Sequence, residues 1–356
     1  MPSIRMSSIW KRLCTALLIA ALLLLPSCAH GGAEGTPGEL TSQTNIDLLG
    51  TVITVSLYEP DDPELFTRLF ALVEDIDTRM TAHSDSSELA LVNDRSGSAP
   101  TQISADLYQL IQRACEMSDL TDGAFDVTIG PVMELWRPDV EFSRLPAPTE
   151  IEARLPLVDH RQVSFSNGEI ALAQPGMMLD LGGIAKGYAC DTALDFLKKQ
   201  GIASALLDFG GNIYAHGTKA DGNPWRIGIA IPLAEEPGNV CAIGVQDRAV
   251  VTSGGYERYF VQDGTTYHHI LDPKTGYPAE NELLSVTIVD TSATRADALS
   301  TACFVLGLRG GHSLLESLPS SEGIFITKDY NVYVTSGLRD AVTMLDERFT
   351  LMEQLG

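Results

Sequence analysis

Basic, aromatic and histidine residues are scarce in this 356-residue chain. It has 24 lysines and arginines against 47 aspartates and glutamates, which gives a formal net charge of −23. Aromatic residues make up only 7%, and there are seven histidines. So acidic a chain argues against nucleic acid or an anionic membrane surface as a partner. A phosphate-bearing ligand would need backbone amides, a local lysine or a metal ion.

Cysteine is also sparse and lacks the spacing of a metal site. The chain has six cysteines, and two of them, Cys14 and Cys28, lie in an apolar N-terminal segment. No CxxC pair occurs, so zinc binding and a disulfide framework are both disfavoured. The pattern predicts isolated buried thiols at the other four positions. These are Cys115, Cys190, Cys241 and Cys303.

The N-terminal apolar run has the form of a secretory signal. Three basic residues, the last of them Arg12, precede "LCTALLIAALLLLPSC", which is too short for a confident membrane span. Its end, "LPSC", resembles the lipobox of bacterial lipoproteins, so residues 1–28 are expected to be a signal peptide and Cys28 to carry lipid. The alternative is an uncleaved signal anchor with an ordinary Cys28. Cleavage would remove no acidic residue and would take the net charge to −26.

A short tether and one catalytic domain are expected after the signal. Residues 29–44, "AHGGAEGTPGELTSQT", are rich in glycine, serine and threonine, as flexible linkers are. Residues 45–350 contain no repeat and no obvious linker. With 44% apolar residues in the chain, they can form a single core.

Many short strands and a few helices are predicted within that domain. Residues 46–58 read as one strand, and "MMLDL" (177–181) as another. Helices are expected from Asp62-Pro63, from Ser104, over 184–200 and over 294–307. The segments do not follow strict βαβ alternation. We therefore expect an α+β fold of antiparallel sheets flanked by helices.

Two stretches bring candidate ligand-binding groups to helices. In "MLDLGGIAKGYACD" (178–191) a Gly-Gly turn precedes a helix that carries Lys186, an arrangement that suits phosphate but is more often only structural. In "TRADALSTACFVLG" (294–307), Asp297 and Thr301 share one helix face. A carboxylate there could cap a helix or pair with Arg295. It could also bind a hard cation such as Mg²⁺.

Eight ordered stretches between residues 49 and 307 together resemble the ApbE family of FAD:protein FMN transferases. They are "LGTVITVSLY", "MTAHSDSSELALVN", "DGAFDVTIGPVMELW", "LDLGGIAKGYACD", "DFGGNIYAHG", "VVTSGGYERYF", "HILDPKTGYP" and "RADALSTACFVLG". The lipobox also suits this family, since many members are bacterial lipoproteins. The resemblance implies an ApbE-like, T-fold-related catalytic domain.

The resemblance also implies a set of site residues. Asp297, Thr301 and a backbone oxygen of Gly183 would hold Mg²⁺. His269 would be the general base and Lys186 would assist, while the neighbouring His268 would be an exposed bystander. The residues expected to contact FAD are Ala124, Phe125, Asp126, Asp180, Lys186 and Leu271, together with His83. Two positions depart from the usual family pattern, which often has methionine where Leu49 stands and tyrosine where His83 stands.

The implied reaction is Mg²⁺-dependent transfer of FMN from FAD to a Thr or Ser hydroxyl of an acceptor protein, with release of AMP. Two alternatives remain open at this stage. Water could replace the hydroxyl, which would make the protein an FAD pyrophosphatase, or the chain could bind flavin without catalysis. The implied location is the bacterial cell envelope, lipid-anchored and facing the periplasm.

Overall fold

The computed structural model describes residues 40–58, 62–81, 84, 86–136, 144–233 and 236–355. Cys28, the signal peptide and His83 lie outside these ranges, so the predictions on them stay predictions. In the described part of the chain, no helix combines the length and apolarity needed to cross a bilayer.

The described residues contain seventeen strands, nearly all of them paired antiparallel. The strands are β1 (Leu40–Leu48), β2 (Thr51–Tyr58), β3 (Thr101–Gln102), β4 (Val163–Ser166), β5 (Glu169–Leu172), β6 (Ala205–Phe209), β7 (Asn212–His216), β8 (Trp225–Ala230), β9 (Asn239–Val245), β10 (Arg248–Gly254), β11 (Tyr259–Gln262), β12 (Thr265–His268), β13 (Leu283–Asp290), β14 (Glu322–Thr327), β15 (Asn331–Val334), β16 (Val342–Met344) and β17 (Thr350–Leu351). Nine of them form one sheet in the order β1-β2-β6-β7-β10-β13-β14-β15-β17, antiparallel except for the pair β15–β17.

Helices and small sheets complete the fold. The helices are α1 (Leu65–Met80), α2 (Glu88–Asp94), α3 (Ala105–Leu120), α4 (Gly130–Trp136), α5 (Pro148–Arg154), α6 (Ala185–Lys199) and α7 (Ala293–Glu316). The small sheets are β8-β9-β16, β3-β5-β4 and the hairpin β11–β12. Together with the nine-stranded sheet, these elements confirm the predicted α+β class.

The middle of the large sheet is buried on both faces. In β10, Val251 belongs to the core that includes the buried residues of α1, α3, α6 and α7, whereas its neighbour Val250 packs with β8 and β9. Successive side chains of a strand point to opposite faces, so this split places helices on one side and the β8-β9-β16 sheet on the other. The site described below lies on the helical side.

The predicted single strand over 46–58 is wrong, because the chain turns within it. Leu49 and Gly50 both have left-handed φ angles, 53° and 62°, and they connect β1 to β2 as a hairpin. Strand β1 begins at Leu40, so the tether prediction is also wrong for residues 40–44.

The predicted strand over 177–181 is also absent. Leu179 exchanges two hydrogen bonds with the buried side chain of Asn93, at 2.7 and 3.0 Å. The N–H of Asp180 donates to the carbonyl of Val127 at 2.8 Å, and Met178 forms only an isolated bridge. A side chain and a loop thus satisfy backbone groups that a strand would pair with another strand.

The four described cysteines are free thiols, as predicted. Cys190, Cys241 and Cys303 are buried and Cys115 is partly buried. Burial raises the pKa of all four, and that of Cys115 and Cys241 reaches about 12. They are therefore unreactive apolar core groups at neutral pH.

Candidate active site

The site is organised by a close contact between helices α6 and α7. A Cβ atom on Gly187 would lie 2.2 Å from the carbonyl oxygen of Ala293 and 2.8 Å from Cβ of Asp297. No other residue type leaves room for the two backbones at this point. Glycine at 187 therefore brings the first turn of α6 directly against the first turns of α7.

Each of the two helices caps the other. Asp191 of α6 accepts hydrogen bonds from the backbone N–H groups of Ala293 and Thr294 at the start of α7, at 2.9 and 3.0 Å. Asp297 of α7 accepts one from the N–H of Gly187, in the first turn of α6, at 2.9 Å. Carboxylates at helix N-termini satisfy free N–H groups and interact favourably with the helix dipole. This reciprocal capping fixes where Asp297 stands.

Asp297 is buried but retains one oxygen for a ligand. Asp297 is 2% exposed, and its Oδ2 accepts the hydrogen bond from the backbone N–H of Gly187. Its Oδ1 lies 3.6 Å from Nζ of Lys186, which is longer than a hydrogen bond. The predicted alternative of pairing with Arg295 is wrong, because that guanidinium binds Asp290 through two bonds of 2.8 Å.

Gly183 and Thr301 lie beside this carboxylate. A Cβ on Gly183 would be 3.4 Å from Oγ1 of Thr301 and 3.1 Å from the ring of Phe125. Thr301 stands one turn after Asp297 on α7. Carboxylate, hydroxyl and backbone carbonyl oxygens are ligands that suit a hard cation such as Mg²⁺. Among the described residues no group of three or more His, Cys, Asp or Glu side chains is arranged for a metal, so these mixed oxygen donors are the candidates.

The loop of residues 123–128, the GAFD loop, lies against the Gly-Gly turn. Ala124 and Phe125 are buried, at 3% and 5% exposed. The carbonyl of Val127 accepts a hydrogen bond from the backbone N–H of Asp180. The side-chain Oδ1 of Asp180 accepts another from the N–H of Gly182, at 2.7 Å. The loop and the turn are therefore one connected unit beside the first turn of α6.

The carboxylate of Asp126 is directed at protein groups. Its Oδ1 accepts from the N–H and the hydroxyl of Thr128, at 2.8 and 2.5 Å. Its Oδ2 lies 2.8 Å from Nδ1 of His160. All its strong hydrogen-bonding directions are thus used within the protein. Any contact of Asp126 with FAD would have to come through its backbone.

His269 is held in one tautomer by a single carbonyl. Its backbone N–H donates to the carbonyl of Arg258 at 3.1 Å, and its Nδ1 lies 3.2 Å from the same oxygen. A carbonyl can only accept, so Nδ1 carries the proton. Nε2, which has no hydrogen-bond partner among the described residues, then presents a lone pair. This is the arrangement that a general base requires.

The imidazole of His269 is neutral at physiological pH. Burial, together with a smaller effect of the positive charges of Arg258 and Lys186, lowers the pKa to about 4. Lys186 is therefore close enough to His269 for the two to interact electrostatically. Arg258 also donates to the carbonyl of Gly50 at 3.2 Å, which links the Leu49-Gly50 turn to the same region.

His268 is not the exposed bystander that was predicted. Its ring packs edge-on against Phe304 of α7, with ring centroids 5.5 Å apart, and its Nε2 lies 3.2 Å from the carbonyl of Ala279. Burial lowers its pKa. The hairpin β11–β12 is short enough for its end to pack on a helix, and strand alternation alone could not reveal that contact. His268 anchors the segment that carries His269.

Leu271 and the turn after it are held by an aromatic cluster. Leu271 is 5% exposed and belongs to a small core with Val132, Trp136 and Ile151. Nε1 of Trp136 donates to the carbonyl of Gly276 at 2.7 Å, and within the turn Gly276 N–H donates to Asp272 at 2.8 Å. These hydrogen bonds fix the conformation of the turn. The Leu271 side chain serves this packing.

Comparison with known proteins identifies the family. Residues 49–325 match the model of the ApbE family. The chain is 37% identical over 323 residues to the FAD:protein FMN transferase of Treponema pallidum, covering 85% of this chain and 89% of that protein.

The chain belongs to the ApbE family.

Solved ApbE structures agree with this assignment. The flavin transferase ApbE from Vibrio cholerae superposes with a TM-score of 0.77 at 30% identity, over 85% of this chain and 100% of that one. The ApbE protein from Thermotoga maritima gives a TM-score of 0.77 at 32% identity, over 85% of this chain and 99% of that one. The fold prediction is therefore confirmed at the level of the family.

The ApbE site brings most of the predicted residues together. Contacts join Lys186 to Asp297, and Gly183 to Thr301 and Phe125. Asp180 adjoins them through Val127, and His269 approaches from the β11–β12 hairpin. Leu271 lies in the aromatic cluster, and His83 lies outside the described residues.

The roles of two groups at the candidate site could not be predicted from the sequence. Asp191 lay within a quoted motif without an assigned role, yet it caps α7. His160 was not singled out, yet it binds Asp126. Neither residue is close in sequence to its partner, so no local spacing could have indicated these contacts.

Proposed function

We propose that this protein transfers FMN from FAD to a Thr or Ser hydroxyl of an acceptor protein and releases AMP. The family assignment supports a flavin transferase, and relatives of this chain carry the name FAD:protein FMN transferase. The observation that carries the proposal is the tautomer of His269. Its free Nε2 lone pair shares a charged neighbourhood with Lys186, at the N-terminus of α6.

The bond changes follow from these groups. The acceptor hydroxyl oxygen attacks the phosphorus on the FMN side of FAD, and Nε2 of His269 takes its proton. The phosphoanhydride bond breaks and AMP leaves with the bridging oxygen, so FMN stays attached through a phosphoester. Lys186, in the first turn of α6, offsets the charge on the phosphate oxygens.

A cation fits the cluster beside Lys186. Oδ1 of Asp297, the hydroxyl of Thr301 and the backbone oxygen of Gly183 would hold Mg²⁺. When bound, that ion would neutralise charge on the pyrophosphate oxygens. A chain this acidic binds a dianionic pyrophosphate poorly unaided, and local positive charge at this point resolves that conflict.

One incubation separates transfer from the alternatives. The protein is mixed with FAD, Mg²⁺ and an acceptor protein that contains a flavinylation site, and the products are separated by chromatography and mass spectrometry. Flavin covalently attached to the acceptor is expected, with one AMP per FMN attached. Free FMN and AMP without attachment would indicate a pyrophosphatase, and intact FAD would indicate binding alone.

The pH dependence of the reaction should reveal the base. Activity requires neutral His269, so it is present above that pKa and is lost as pH falls through it. The acid limb of kcat/KM, which reports the free enzyme, is expected near pH 4. The phosphates of bound FAD oppose the effect of Lys186 and Arg258, so the acid limb of kcat should lie at higher pH. Coincident limbs near the ordinary histidine pKa would contradict the assignment.

We also propose that Cys28 carries a lipid and anchors the protein at the bacterial cell envelope, facing the periplasm. The "LPSC" ending of the signal supports this location. Metabolic labelling with a fatty acid should mark the wild type and not Cys28→Ala, while purified Cys28→Ala should retain transfer activity. Cys14→Ala, within the same signal, is the matched control and should label normally. Undiminished labelling of Cys28→Ala would show that the lipid is not attached at Cys28.

A further inference from the structure

His160 lies between two carboxylates. Its Nδ1 is 2.8 Å from Oδ2 of Asp126, and its Nε2 is 2.9 Å from Oδ1 of Asp119 at the end of α3. Its backbone N–H also donates to Asp126, at 3.3 Å. The side chains of His160 and Asp126 are 11% and 6% exposed, whereas that of Asp119 is 73% exposed.

This geometry requires a doubly protonated ring. Carboxylates only accept hydrogen bonds, so both ring nitrogens must donate, and only the imidazolium ion has two N–H groups. Neutral histidine could keep one of the two bonds and would direct a lone pair at the other carboxylate. The contacts to Asp126 and Asp119 therefore exist together only while His160 is charged.

Other titratable and charged groups lie near this triad of His160, Asp126 and Asp119. Burial lowers the pKa of His160, but its hydrogen bonds to Asp126 and Asp119 outweigh burial and raise the pKa above its ordinary value. Cys115 of α3 stays protonated because burial and these same carboxylates raise its pKa to about 12. The remaining neighbours are Asp159, which pairs with Arg161, and Asp122, which pairs with Lys274.

One side of the triad faces open space. A cavity of about 440 Å³ adjoins His160 and is lined also by Gly123, Val158 and Lys274. Space on this side leaves the segment free to shift if an ion pair is lost. Asp126 belongs to the GAFD loop, whose Phe125 touches Gly183 and whose Val127 binds Asp180.

We propose that protonated His160 is a positioning residue that clamps the GAFD loop in the shape that binds FAD, so that FAD affinity falls as His160 loses its proton. The inference rests on the proposed function, since FAD is the ligand whose site the loop borders. A group whose pKa is raised by its partners in the folded protein stabilises the folded state fully at pH values below its unfolded-state pKa. This stabilisation is lost as pH rises through the folded-state pKa. FAD binding should therefore weaken on the alkaline side.

The test measures the dissociation constant of FAD between pH 6 and 9 by flavin fluorescence, in Mg²⁺ and without an acceptor protein. Chromatography after each titration checks that FAD is intact. Wild type should bind about tenfold more weakly above the His160 transition than below it, which is the worth of about one charge-assisted hydrogen bond. His160→Gln cannot be charged, so its affinity should be independent of pH and close to the alkaline value of wild type.

Two further variants make the assignment specific. Asp119→Asn removes one exposed charge and should move the transition to lower pH with little loss of stability. His216→Gln is the matched control. His216 is the last residue of β7, outside the site, and its Nδ1 lies 2.9 Å from Oδ1 of Asp247 in a similar pair. It should leave the profile unchanged.

The outcomes separate this inference from the proposed function. Absence of FAD binding by wild type at every pH would overturn the proposed function itself. FAD binding that does not change with pH, or an unaltered transition in His160→Gln, would overturn the clamp alone. If His216→Gln changed the pH transition as much as His160→Gln, the transition would reflect the global stability of the protein, and the clamp would be overturned.

Discussion

His269→Ala should lower the rate of FMN transfer to an acceptor protein by about two to four powers of ten, the usual contribution of a general base. FAD and Mg²⁺ affinity should change little, because Lys186, Asp297 and the GAFD loop do not depend on the imidazole for their contacts. The measurement is single-turnover flavinylation, with the dissociation constant of FAD determined separately. Normal transfer in this variant would mean that the hydroxyl proton leaves by another route.

His268→Ala tests whether the neighbouring histidine has a structural role. From the sequence this change was expected to matter little, but the ring packs on Phe304 and bonds the carbonyl of Ala279. We now expect a lower melting temperature and a smaller loss of rate, since the anchor of the His269 segment is removed. A full loss of rate in His268→Ala together with normal rate in His269→Ala would exchange the two roles. Equal losses in both would point to a shared structural role.

Asp297→Ala should abolish turnover at limiting Mg²⁺ and should leave a protein that still binds FAD. Loss of a group that merely supports a metal ligand typically costs about 10–100-fold in metal affinity, so loss of a carboxylate that is itself a proposed ligand should cost more. Part of the rate should return at high Mg²⁺. Affinity is measured by titrating Mg²⁺ against the single-turnover rate.

Two further substitutions separate the roles of this carboxylate. Asp297→Asn keeps an oxygen for the Gly187 N–H but loses the charge, so it should fold like wild type and share the metal defect. Thr301→Val preserves shape and removes a neutral ligand, and its metal defect should be smaller. Normal turnover of Asp297→Asn at limiting Mg²⁺ would make the carboxylate purely structural.

Local patterns in the sequence predicted α1, α3, α6 and the first part of α7, and they placed Asp297 and Thr301 on one helix face, but they did not indicate the short helices α2 and α4. The start of α6 follows a Gly-Gly turn, and spacing by four residues places Asp297 and Thr301 on one face of α7. The Leu49-Gly50 turn was missed because leucine seldom adopts a left-handed φ, so the alternating pattern appeared continuous across it.

Long-range contacts could not be read from such patterns. Gly187 and Asp297 are 110 residues apart, and nothing in either helix indicates that they meet. Only resemblance to a family placed them in one site. The same limit applies to His160, whose partners Asp119 and Asp126 lie on other elements, and to His268, whose burial depends on a helix that follows much later in the chain.

The reciprocal capping of α6 and α7 has a consequence for how the site is loaded. Oδ2 of Asp297 closes the N-terminus of α6, and Asp191 closes that of α7. Neither helix end needs a cation to complete it, and only Oδ1 is left for one. In small zinc domains, by contrast, metal binding supplies the folding free energy itself. Here the helix ends are closed by protein groups, so the proposed cation would bind to an already folded chain and would only add to its stability by mass action. Occupancy of the proposed cation site would then follow the concentration of the free ion around the folded protein.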